Sequence, residues 1–91
     1  MRRDLNSWQL VQLRVLLSKL GGVAGAIHRI VRRFNGVFTS SDVRLRLAVK
    51  YPLLDPAPYQ VQDSLEGLIL RGVIRSLGCN GWEILYRRRL A

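Results

Sequence analysis

Cysteine and histidine are almost absent from this 91-residue chain, where Cys79 and His28 each stand alone. One cysteine excludes an intramolecular disulfide, and one residue of each kind is too few for a zinc site with its usual ligand set. No Gly-rich phosphate loop, nucleophile elbow or HExxH helix occurs. Ser40, Ser41 and His28 do not make a catalytic triad by mere presence, and no neighbouring base or pair of cations activates Cys79. The chain is therefore expected to be no enzyme and to carry no cofactor or metal. Long apolar runs are also missing. The stretch from Leu20 to Ile27 has no polar side chain, but it is glycine-rich and far too short to span a bilayer. Asp4, Arg14 and Lys19 interrupt the apolar region that a secretory signal would need. A cytoplasmic location is expected, associated with the nucleoid in a bacterium or archaeon; an arginine-bearing organelle presequence is the alternative.

Acidic residues are scarce as well: 6 Asp and Glu stand against 15 Lys and Arg, for a net charge of +9. Such an imbalance argues for a polyanionic partner. All the cations except Lys19 and Lys50 are arginine, whose planar fork suits phosphate, although a GC-rich coding sequence would give the same bias. A hydrophobic fraction of 48% is that of a globular chain rather than a disordered one. At this length a domain buries only about 60% of the surface of its unfolded chain, so its stability is expected to be marginal.

Leu10, Leu13, Leu17 and Leu20 recur at helical spacing, widened by Trp8, Val11, Val15 and Leu16, and predict an amphipathic helix starting near Asp4 or Asn6. The same rhythm continues through Ala24, Ile27, Val31 and Phe34. Glycines at 21, 22 and 25 lie inside it, and each costs roughly 1 kcal/mol in a helix interior. Two helices broken at Gly21-Gly22 are favoured over one rod or a dimeric coiled coil. The second helix is expected from Val23 to Arg33, ended by Asn35-Gly36 with glycine as a left-handed cap. Val37-Phe38 reads as a short extended piece. Thr39 and Asp42 have the spacing of a capping box and open a third helix with Val43, Leu47, Ala48 and Tyr51 inward. Pro52 stops it. A fourth helix runs from Pro58 to Leu70 or Arg71, buries Val61, Leu65, Leu68 and Ile69, and is closed by Gly72. The period then switches to two. Val73–Leu77 and Trp82–Tyr86 read as strands joined by Gly78-Cys79-Asn80-Gly81, with Trp82, Ile84 and Tyr86 on one face. Arg87-Arg88-Arg89 reads as a basic tail.

Helix, short strand, helix, helix, hairpin is an order that resembles the winged helix-turn-helix family over Val23–Tyr86. The run from Gly36 to Val43 looks like that family's first strand and capped second helix. Val61, Leu65, Leu68, Gly72, Val73 and Ile74 match its pattern of recognition helix running into wing. The resemblance implies a mainly helical α+β fold, a winged helix-turn-helix with an additional N-terminal amphipathic helix. Residues 1–22 would be that helix, 23–86 the winged-helix domain and 87–91 the basic tail.

Carried over, the resemblance places helix 58–71 in the major groove of duplex DNA, with Tyr59, Gln60, Gln62, Asp63 and Ser64 near base edges. The sequence departs from a strong base reader because Asp63 and Glu66 lie on that helix, no cation precedes Arg71, and the wing tip has no Arg or Lys. The cations flank it: Arg44, Arg46 and Lys50, then Arg71 and Arg75, then Arg87, Arg88 and Arg89. Arg29, Arg32 and Arg33 form a further group. These suit phosphate contacts, which position a protein without reading sequence. The leading expectation is a small DNA-binding protein, a transcriptional regulator; structured RNA offers the same phosphates. The alternative is an adaptor in a protein or ribonucleoprotein complex. A homodimer through Leu10, Leu13, Leu17 and Leu20 would match palindromic half-sites, while intramolecular packing of the same stripe is the competing use.

Overall fold

The computed structural model describes residues 5–81 and 83–89, so the expectations for Asp4 and Trp82 lie outside the described residues. Helix α1 (Ser7–Leu20) begins at Asn6, whose Oδ1 accepts from the Gln9 N–H at 2.8 Å while Gln9 Oε1 accepts from the Asn6 N–H at 3.1 Å. This reciprocal box satisfies two N–H groups that the first helical turn would otherwise leave open. The glycine pair breaks the apolar rhythm as the sequence predicts. Gly21 adopts φ 80°, and α2 (Gly22–Val31) leaves at 64° to α1. Gly25 seals the corner, because a Cβ there would stand 1.7 Å from the Leu20 carbonyl oxygen. Any side chain at 25 would have to push the two helices apart.

Helix α2 stops earlier than its expected end at Arg33. Arg32 caps it in right-handed conformation, and tight bonds from the Arg33 N–H to Ile30 O and from the Phe34 N–H to Val31 O close the turn. Gly36 is not in the left-handed region, so the glycine cap expected there is not used. Early termination frees Phe34 to stack on Phe38, with ring centroids 4.6 Å apart.

Helix α3 (Ser40–Lys50) opens on the expected box, with the Asp42 N–H donating to Thr39 Oγ1 at 3.3 Å and the Thr39 N–H donating to Asp42 Oδ2 at 2.9 Å. Val43 and Leu47 are buried, but Ala48 is exposed and lines an open groove with Arg44 and Pro52, so the inner stripe is narrower than expected. Helix α4 (Pro58–Leu70) carries proline in its first turn, where a missing N–H costs nothing. It ends in a paired closure, from the Gly72 N–H to Ile69 O at 3.0 Å and from the Val73 N–H to Leu68 O at 2.9 Å.

Strands β1 (Ile74–Asn80) and β2 (Glu83–Arg88) form an antiparallel hairpin longer than the sequence suggests. An irregularity between Ser76 and Gly78 takes up one residue, so Gly78, Cys79 and Asn80 belong to β1 rather than to a four-residue turn. Arg87 and Arg88 are strand residues, not tail, and the Arg89 N–H extends the ladder by donating to Val73 O at 2.9 Å. The expected short strand is a single bridge in which Phe38 and Tyr86 exchange both backbone bonds, at 2.9 and 2.8 Å.

Leu13, Ile27, Val31, Val43, Leu47, Val61, Leu65, Ile74 and Tyr86 meet in one core. Leu13 belongs to it, and Leu17 and Leu20 pack partly against it, so most of the proposed pairing stripe turns toward its own chain. The apolar side chains that α1 leaves in solvent are Trp8, Leu10, Val11 and Val15. The chain has a winged-helix α+β fold with an added N-terminal helix. Among the described residues no single helix is long and apolar enough to cross a membrane; α1 and α2 reach that length and composition only together, across their bend.

Candidate nucleic-acid interface

Aromatic stacking sets where the wing stands. The Phe34 ring stacks on Phe38, and Phe38 on Tyr86 with centroids 5.8 Å apart, so the end of α2, the single bridge and β2 share one apolar column. Arg46 covers the outer end, its guanidinium carbon 5.2 Å from the Phe34 centroid. At the inner end the Gln62 Nε2 donates to the Tyr86 hydroxyl at 3.1 Å, joining α4 to the wing. Burial, opposed by this Gln62 bond, raises the Tyr86 pKa above its ordinary value.

Two of the residues expected to read bases thus have work inside the protein. Gln62 holds Tyr86, and Gln60 Oε1 accepts from the Ala57 N–H at 2.8 Å to cap α4. The sequence alone did not expose either bond; the Gln60 role was legible in principle, since glutamine three residues after a helix start is the capping-box position. Ser64 is half-buried, and Tyr59, Asp63 and Glu66 are exposed. The solvent-facing surface of α4 therefore carries carboxylates and an aromatic ring, not cations.

The cations gather elsewhere. Arg75, Arg87, Arg88 and Arg89 line a single groove at the wing base. Arg88 reaches across to donate to the Arg32 carbonyl oxygen, which ties this groove to the end of α2. Arg29, Arg32, Arg33, Lys50 and Tyr51 line the next groove, and Arg33, Arg46 and Lys50 share a third with Ile30 and Val49. No carboxylate among the described residues lines any of the three. His28 sits beside this belt. Burial first, and then the charges of Arg71 and Arg32, hold its pKa below the ordinary 6.5. Arg44 is apart from the belt, in a cleft with Asp55, Pro56, Tyr59 and Gln60 that α1 partly walls through Leu13 and Leu17.

Neither a protein-family model nor a curated protein matches this sequence. Among solved structures, the fold is similar to that of the ferric uptake regulator Fur of Helicobacter pylori. Sequence identity is 15% and the TM-score 0.59, over 97% of this chain and 60% of the Fur chain. The likeness is one of fold. Three functional metal-binding sites are described for that Fur, whereas this chain has 1 histidine and 1 cysteine, and no group of three His, Cys, Asp or Glu among its described residues could hold a metal ion. The residues present do not fit such a centre.

Proposed function

We propose that this chain is a non-enzymatic regulatory protein that binds duplex DNA, chiefly through the phosphate backbone. The observation that carries the reading is the carboxylate-free belt of arginines running from the end of α2 and α3 to the wing base. Guanidinium groups on a low-dielectric wall, with no carboxylate among the described residues lining their grooves, concentrate a polyanion and release its condensed counterions on contact. The winged-helix fold is a scaffold that presents a helix and a hairpin to a duplex, and its likeness to a ferric uptake regulator supports the same class of role. Base readout is expected to be weak. Tyr59 and Ser64 are left to make it, since Gln60 and Gln62 are engaged and the exposed carboxylates repel phosphate. Pairing of two copies through Trp8, Leu10, Val11 and Val15 would add the two-fold symmetry that inverted half-sites match.

Fluorescence anisotropy with a labelled duplex across a salt series tests the reading. With about five phosphates neutralised, log affinity should fall against log salt with a slope near −4.5. Absence of binding at low salt would remove the proposal. Asp63, Glu66 and the apolar face of α1 favour a second reading, a protein adaptor; a stable partner recovered without any duplex affinity would establish it.

A further inference from the structure

The hairpin has a cationic end and an end without cations, where Glu83 opens β2. Gly78, Cys79 and Gly81 occupy the tip side, while Arg75 and Arg87 stand directly opposite each other in the ladder at the base. Like charges opposed across an antiparallel pair destabilise a sheet. Both side chains are exposed, and Arg89, also exposed and just past β2, lines the same groove. Among the described residues the groove between them is lined by arginines alone. Its position is fixed from behind, because Tyr86, the neighbour of Arg87, is buried under Phe38 and held by Gln62. A rigid strand pair that brings cations face to face, with no acid among the described residues lining their groove, is built for an anion from outside the chain.

We infer that the wing base, and not the wing tip, grips the nucleic-acid backbone. Arg75, Arg87 and Arg89 hold successive phosphodiesters of one strand, and Arg32 and Arg88 carry the grip on toward α2. This rests on the reading that the partner is duplex DNA. The planar fork of each guanidinium meets a phosphate through two parallel N–H bonds, and a diester seated on each member of the opposed pair relieves the repulsion between them. Contact there is independent of base sequence. The outward surface of β1 and β2 is therefore a clamp on the backbone, and the tip is left free of it.

The experiment compares Arg75→Ala/Arg87→Ala with Arg14→Ala/Lys19→Ala, which removes the same charge from α1. Each is titrated with a short labelled DNA duplex over a range of salt concentrations. The wing-base pair should flatten the slope of log affinity against log salt by about 1.8, corresponding to two phosphate contacts, and weaken binding roughly tenfold per contact near 0.1 M salt. The α1 pair should leave the slope of the unaltered protein, and Arg75→Lys/Arg87→Lys should restore most of it. Without DNA, the melting temperature of the wing-base pair should stay level or rise, since a like-charge contact has been removed. An unchanged slope, an equal loss in the α1 pair, or a lowered melting temperature would each overturn the clamp. A wild-type chain that binds no duplex at all would instead defeat the functional reading beneath it, so the two failures are distinct.

Discussion

Helix α4 and the wing base sit side by side on one core yet present opposite surfaces to solvent. Inward, Val61, Leu65 and Leu68 of α4 and Ile74 and Tyr86 of the hairpin are buried in the same cluster. Outward, α4 shows Tyr59, Asp63 and Glu66, while the hairpin shows Arg75, Arg87 and Arg89. The apolar pattern that carries the resemblance to winged helices governs only the inward side. Whether a helix of this fold reads DNA is decided by residues that packing leaves free, and here those residues favour the neighbouring element.

The largest effect is expected where the two regions share an anchor. Leu65→Ala opens a cavity beneath α4 and should cost about 3 kcal/mol, a large part of the stability of so small a domain. Thermal denaturation should show both regions lost together, in contrast to the wing-base arginine pair. A stable Leu65→Ala protein with intact binding would break the claim of a common foundation. A smaller change is expected from Asp63→Asn/Glu66→Gln. With the duplex on the wing base, as proposed, these carboxylates should act only through the field, and neutralising them should raise affinity about threefold at low salt, fading as the screening length falls to ~10 Å near 0.1 M. A larger gain that survives higher salt would put α4 itself against the phosphates.

His28, on α2 and within reach of the charges of Arg71 and Arg32, gives the finest test. Its folded pKa is lowered, so the unfolded chain binds the proton more readily. The stability this residue contributes is present above the ordinary value of 6.5 and is lost as pH falls through the lower folded value. His28→Asn should flatten stability against pH in that window, as followed by denaturant melts. Part of the depression comes from Arg32 and Arg71, so NMR titration of the imidazole should show its pKa moving back upward when a duplex covers those cations. No movement would separate His28 from the binding surface.

Periodicity made the helices legible, and turn chemistry made their ends so wherever the cap was local. Thr39 with Asp42, Gly21 and Pro58 all act where the residue pattern places them. The end of α2 was not legible, since Phe34 leaves the helical rhythm to stack on Phe38, a contact made by tertiary packing. The hairpin turn is not legible for a similar reason. An irregularity beside Gly78 let pairing run through residues that look like loop, and it drew Arg87 and Arg88 from the expected tail into a strand. Of the candidate site residues, the cations could be recognised individually. Their grouping could not, because the bond from Arg88 to the Arg32 carbonyl joins positions far apart in the chain.

The aromatic column through Phe34, Phe38 and Tyr86 has a mechanical consequence. The hairpin is bolted at its root by three rings and by the paired backbone bonds of Phe38 and Tyr86. A pull on its charged end is transmitted straight to the last turn of α2, so the molecule meets a load there as a strut and not as a flap.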